Sequence, residues 1–175
     1  MHKIILAAVA LFSLWASEAP AQEPSAADVS VGYSFLREGI SDGINNNGGS
    51  VSFTGYAKSW LGITGDMGIY HATPYGLNAN TFTYMAGPRF AYRHSDRVAP
   101  FAQVLVGGAH LSASAGGASA ATNGLAWSAG GGIDMGITRH LAFRPQVDYI
   151  GIHTTGGTGN SVRASASLVF RFGSR

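Results

Sequence analysis

The chain has 175 residues, 11 Lys and Arg against 9 Asp and Glu, a formal net charge of +2 and no cysteine. That length suits one domain, the basic residues are spread singly rather than as a nucleic-acid footprint, and no disulfide framework is available. Charged residues are only 11% of the chain and glycines number 25. A soluble domain ordinarily carries about 25% charge, so much of this surface is expected to face something other than water.

The first element is a leader. "MHK" supplies a positive start, "IILAAVALFSLWA" over residues 4–16 is an apolar run of signal length, and Ala19, Pro20 and Ala21 fit cleavage before Gln22. The expected organisation is a signal peptide over 1–21 and a single barrel domain over 22–175. A spanning helix needs about 20 apolar residues, and Glu18 ends this run well before that. No later segment reaches that length, so any membrane crossing must be made by strands.

Eight runs then alternate with period two, the mark of a strand with one apolar face. Val29, Val31, Tyr33 and Phe35 share the first apolar face, and Val51, Phe53, Gly55 and Ala57 the second. Leu61, Ile63, Gly65, Met67 and Ile69 form the third, with Asp66 opposite. The fourth, over 81–92, places Phe82, Tyr84, Ala86, Pro88, Phe90 and Tyr92 against Arg89. The fifth, over 99–109, sets Ala102, Val104 and Val106 against Gln103, but Phe101 and Leu105 fall on the polar side. Leu125, Trp127, Ala129, Ile133 and Met135 oppose Ser128 and Asp134 in the sixth. Leu141, Phe143, Pro145, Val147 and Tyr149 oppose Arg144, Gln146 and Asp148 in the seventh. Val162, Ala164, Ala166, Leu168, Phe170 and Phe172 oppose Arg163 and Arg171 in the eighth. This regularity argues against a disordered low-complexity chain. Pro88 and Pro145 cannot donate to a ladder, so bulges or irregularities are expected there.

The connections are expected to alternate too. "REGISDGINNNGG", "HATPYGLNAN", the stretch 110–122 and "HTTGGTGN" read as long loops; those around Lys58 and Ser59, "HSDR" and "TRH" read as short turns. Long and short ends with an even strand count describe an antiparallel, up-and-down transmembrane β-barrel of eight strands, all-β, with both mature termini periplasmic. Closure removes the unpaired edges that hydrocarbon would not tolerate. A soluble barrel would instead bury its apolar face and charge its outer one.

On this reading Asp66, Arg89, Gln103, Asp134, Arg144, Asp148, Arg163 and Arg171 form a polar network in the lumen. Three acids against four bases favour mutual pairing over a selective ion path, and an eight-stranded interior is about wide enough for side chains to fill. Trp60, Tyr92, Trp127, Tyr149 and Phe172 are expected at the membrane interfaces. His71, His110 and His153, in or beside the long connections, are weak catalytic candidates, and no metalloprotease, phosphate-loop or nucleophile-elbow motif accompanies them. The "SDGINNNGG" run lacks the calcium-loop spacing, so neither a metal nor a cofactor is expected.

"GYSFLR" at 32–37, "VSFTGYAKSWLGITGD" at 51–66, "GPRFAYR" at 87–93 with the following "RVAPFAQVLVGGAH", "GGGIDMGITRHLAFRPQVDY" at 130–149 and "VFRFG" at 169–173 together resemble the bacterial outer-membrane beta-barrel domain family, the small OmpA-like eight-stranded barrels. The resemblance implies an outer-membrane location, lipid as the surrounding partner and assembly by the barrel-insertion machinery. It implies no catalytic residues. Phe172 looks like the last aromatic of an assembly signal, although "GSR" follows it. The leading expectation is a monomeric structural or surface-exposed barrel that binds or adheres through its extracellular loops to an unidentified partner. A low-conductance, porin-like pore and a lipid-modifying enzyme remain the alternatives.

Overall fold

The structure, a computed structural model, describes residues 27–39, 44–73, 78–93, 97–115 and 118–173. The export segment expected over 1–21 lies outside the described residues. Eight strands follow one another: β1 (Ala27–Glu38), β2 (Ile44–Lys58), β3 (Leu61–Ala72), β4 (Asn78–Ala91), β5 (Val98–Ala115), β6 (Ala118–Gly136), β7 (Leu141–Thr154) and β8 (Gly157–Phe172). Each pairs antiparallel with its neighbours in sequence, and β1 closes on β8 from Ala27 against Phe172 to Glu38 against Ser161. Among the described residues, no helix is long and apolar enough to cross a membrane.

Side-chain alternation decides which way each strand faces. On β3, Gly62, Thr64, Asp66, Gly68 and Tyr70 are buried while Ile63, Met67 and Ile69 stand about 60% exposed, at 59%, 59% and 63%. Exposed Val, Ile, Phe and Tyr on every other position, with buried Ser, Thr, Asp and Arg between them, invert the arrangement of a water-soluble barrel. A tilted strand needs about 9–11 residues to cross hydrocarbon, and the outward apolar run of β3, from Leu61 to Ile69, has that span. Above it, at the end away from the chain termini, the exposed positions become Asn47, His71, Asn80, His110, Asn123 and His153.

The expected long loops are corrected. Residues 44–49 belong to β2, where Glu38 pairs with Ile44, and nearly all of 110–122 is a β5 to β6 ladder running up to Ala115 against Ala118. "HTTGGTGN" contributes only residues 155–156 to a turn. In "HATPYGLNAN", residues 71–72 end β3 and 78–80 begin β4, and 74–77 lie outside the described residues. At the opposite end, β4 stops at Ala91 and β5 starts at Val98, and residues 94–96 of "HSDR" lie outside the described residues. Once both faces of a ribbon meet water, period two vanishes from the sequence while the backbone pairing persists, so small polar strands read as loop. Residues 118–124 pair with β5 but have no partner on β7, whose ladder with β6 begins at Leu125 and His153.

At the two prolines the expected irregularity is present, as a gap and not as a bulge. Register is the same on both sides of Pro88, from Ala86 against Val106 to Arg89 against Gln103, and of Pro145, from Gly132 against Gln146 to Met135 against Phe143. Each proline leaves a gap in one ladder without a bulge. The register shift falls instead between Tyr56 and Lys58, at the β2 to β3 turn.

Candidate functional site: a layered lumen and its two rims

The lumen is filled in layers. At its centre, Arg163 on β8 donates from Nη1 to Asp66 Oδ1 at 2.6 Å and from Nη2 to Asp148 Oδ2 at 2.8 Å. The same guanidinium donates to the Tyr70 hydroxyl at 3.2 Å. Asp148 also accepts from Gln103 at 3.2 Å and from Gln146 at 2.7 Å. Gln103 in turn accepts from Arg89 Nε and Nη2 at 3.0 and 2.7 Å. The strands β3, β4, β5, β7 and β8 thus meet in one hydrogen-bonded cluster. Its members are nearly or wholly removed from solvent, so each charge depends on its partner.

Nearer the chain termini, Arg144 holds Asp134 through a two-point contact, 2.5 Å from Nε and 2.8 Å from Nη2. Asp28, buried at the start of β1, lies 3.7 Å from Arg144 and opposite Arg171 in the β1 to β8 register. Phe101 explains its apparent misplacement on the polar face: the Arg89 and Arg144 guanidinium carbons lie 4.3 and 4.9 Å from its ring centre. An aromatic face there offers both cations a cation–π contact. With Asp28 included, four acids, Asp28, Asp66, Asp134 and Asp148, stand with four bases, Arg89, Arg144, Arg163 and Arg171, in these two layers, and a further inward acid, Glu38, lies nearer the projecting end. The expected excess of one base came from missing Asp28, which precedes the first apolar residue of its strand.

Toward the projecting end, the lumen turns apolar. Leu36, Tyr70, Met85, Leu105, Ala109, Ala126, Ile150 and Ile152 pack into one buried cluster with Leu111 against it. Leu105, the other anomaly of β5, belongs here. Two inward glycines of β3 make room for rings, and a Cβ at Gly68 would collide with the Tyr70 ring. Above this layer opens a cavity of about 820 Å³ lined by Glu38, Leu111, Ile152, Asn160 and Ser161 among others. Burial pushes the Glu38 carboxyl up, opposed by hydrogen bonds with Thr81 and Asn46.

On the outer surface, Trp60 stacks on Phe90 with ring centres 6.1 Å apart, and Tyr92 and Phe172 are exposed at the same end. Trp127 and Tyr149 lie 5.6 Å apart in the half nearer the projecting hairpins. Gly151 leaves space for the Trp127 indole. The three histidines sit on this outer face, each tied across a strand pair through Nδ1: His71 to Asn80, His110 to Asn123 and His153 to Thr158, all at 2.7 Å. They are not brought together, and among the described residues no group of three or more His, Cys, Asp and Glu is placed to hold a metal.

A closed eight-stranded barrel with a lipid-compatible outer band and a charge-paired interior is a transmembrane β-barrel. The chain belongs to the outer membrane protein beta-barrel domain family, whose pattern matches residues 4–172. Its fold is similar to that of Neisserial surface protein A, with a TM-score of 0.73 and 15% identity over 84% of this chain and 99% of that one. It is also similar to Ail, the attachment invasion locus protein of Yersinia pestis, with a TM-score of 0.62 and 15% identity over 86% and 100%. The N-terminal beta-barrel domain of Pseudomonas aeruginosa OprF follows at 0.59 and 12% identity over 86% and 100%. No curated protein matches the chain in sequence. At these identities, the structural likenesses establish the fold alone.

Proposed function

We propose that this chain is a structural, surface-exposed outer-membrane barrel without a conducting path, which meets its surroundings through projecting hairpins. The observation that carries the reading is the apolar layer of Leu36, Tyr70, Met85, Leu105 and Ile150 seated over the paired charges of the lumen. An ion would have to cross both, and eight-stranded barrels have interiors that side chains fill. Reconstituted protein is expected to give no reproducible single-channel steps; defined, repeatable conductance would establish the pore instead.

In this reading the leader is removed before Gln22, the termini face the periplasm and the projecting hairpins face outward. The chain works as a monomer inserted by the barrel-assembly machinery, and the lumen network serves to hold the wall closed. Trp60, Tyr92 and Phe172 form one interfacial girdle while Trp127 and Tyr149 contribute to the other, each ring spanning hydrocarbon and headgroups. External contact falls to the β5 to β6 hairpin, whose residues 118–124 present an unpaired strand edge with no charged side chain. Ail has been crystallised with the heparin analogue sucrose octasulfate. A similar polyanion is a poor fit for this projecting end, where Arg37 is the one Lys or Arg among the described residues.

Lipid-ester hydrolysis is the second reading. His110 has its Nδ1 engaged by Asn123, and Ser112 lies two residues along the same strand. Alternate residues share a face of a strand, so an oriented imidazole and a hydroxyl stand on the same side, two of the residue types of a nucleophile, base and orienter set. It predicts fatty-acid release from phospholipid that disappears in both Ser112→Ala and His110→Ala; release retained in either variant removes the assignment.

A further inference from the structure

Charge outside the lumen is sorted to one end. Among the described residues, Lys58, Arg93, Arg97 and Arg139 all lie at the end that carries the chain termini, whereas Arg37 alone lies at the projecting end. In the sequence of the turns themselves, 59–60, 92–97 and 137–140, the one acid is Asp96. The projecting rim is built differently: its outward His, Asn and Thr side chains are tied to one another in cross-strand pairs. The cations therefore gather at one rim, while the other is a hydrogen-bonding belt with Arg37 as its single Lys or Arg among the described residues.

The cations of the turn end stand beside the edge of the apolar band. Lys58 Nζ lies 5.7 Å from the Trp60 ring centre, and Trp60 stacks on Phe90. Tyr92, Ile137 and Phe172, exposed at 67%, 59% and 55%, continue the apolar edge around that end. The Arg93 guanidinium packs 4.2 Å from the Tyr56 ring at the mouth of the lumen. Lys58, Arg97 and Arg139 are exposed.

We propose that the turn end of the barrel is a binding surface for anionic phospholipid headgroups, with Lys58 meeting the negative charge just beyond the Trp60 and Phe90 rings and Arg97 and Arg139 meeting it at the other two turns. Aromatic side chains at the hydrocarbon boundary followed at once by Lys and Arg match the order in which a leaflet presents acyl chain, ester region and phosphate. Basic residues within a Debye length of an anionic lipid surface are attracted to it. A soluble anionic wall polymer is less well matched, because Lys58 lies against a lipid-facing indole rather than out along the barrel axis. Which leaflet is involved follows from the orientation proposed above; the headgroup preference does not depend on it.

The chain has three tryptophans, so W15F/W127F leaves Trp60 as the sole emitter. This chain is refolded into phosphatidylcholine vesicles containing the same small fraction of either brominated phosphatidylglycerol or brominated phosphatidylcholine. The anionic quencher is expected to dim Trp60 about twofold more strongly than the zwitterionic one, an excess that high salt removes. Adding K58Q, R97Q and R139Q is expected to equalise the two lipids while the barrel keeps its folded, heat-modifiable gel mobility. Equal quenching in the starting chain overturns the proposal, as does a preference that survives the triple substitution. Soluble peptidoglycan fragments that abolish the preference at low concentration overturn it in favour of a wall polymer.

Discussion

Replacing Arg163 with Gln is expected to cost the folded barrel about 3–5 kcal/mol, the range found when one member of a buried ion pair is removed. The loss is large because Arg163 serves two carboxylates at once, Asp66 at 2.6 Å and Asp148 at 2.8 Å, and all three residues are buried. Gln at position 163 would leave two negative charges facing each other in a space without solvent. The Tyr70 hydroxyl, which accepts from the same guanidinium, would lose that donor too. Combining Arg163→Met with Asp66→Asn and Asp148→Asn is expected to recover most of the loss, because replacing every member of a buried ionic set is often nearly neutral. Urea unfolding in lipid vesicles, followed by Trp fluorescence, measures both. If R163Q alone unfolds at the parent urea midpoint, the central pairing does not hold the wall together.

The second large effect lies two residues from the first carboxylate's neighbour Met67 and on its face. Gly65 stands at the middle of the outward run of β3, and a Cβ added there meets nothing within 4 Å. Gly65→Arg therefore introduces no collision, and its cost isolates the hydrocarbon itself: about 2–4 kcal/mol for a cation near the bilayer midplane. Gly65→Val is expected to be neutral or stabilising, since a branched side chain replaces none on a lipid-facing strand. Gly68→Val on the opposite face is expected to destabilise, because its side chain would enter the space of the Tyr70 ring. Two glycines in one short strand thus carry opposite forecasts. Equal stability of G65R and G65V in vesicles would mean that this face does not meet lipid.

Much of this wall is legible in the sequence because hydrocarbon imposes a strict rule. Each strand crossing it must alternate lipid-facing and interior residues, so "LGITGDMGIY" reveals that Asp66 and Met67 take opposite sides before any coordinates are known. Even the exceptions on β5 kept their phase: Phe101 and Leu105 do face inward, one against two guanidinium groups and the other in the apolar layer. The partners of the buried charges were not legible. Asp66 and Arg163 are 97 positions apart, and their meeting depends on closure and on how the tilted strands cross the lumen. Asp28 escaped notice because one residue at the start of a strand carries no period. The projecting hairpins were misread for a different reason. Ser, Ala, Thr and Asn facing water on both sides leave no alternation, yet the β5 to β6 backbone stays paired through its whole length.

In the orientation proposed above, the hairpins face the exterior and the turns face the periplasm. The chain contains no cysteine, so single reporters can be placed without a background. Ala120→Cys lies on the projecting hairpin and Thr138→Cys in the turn between β6 and β7, both exposed. A membrane-impermeant maleimide applied to intact cells is expected to label A120C and to reach T138C only after the outer membrane is opened. Labelling of T138C but not A120C in intact cells, or of neither until lysis, would contradict it.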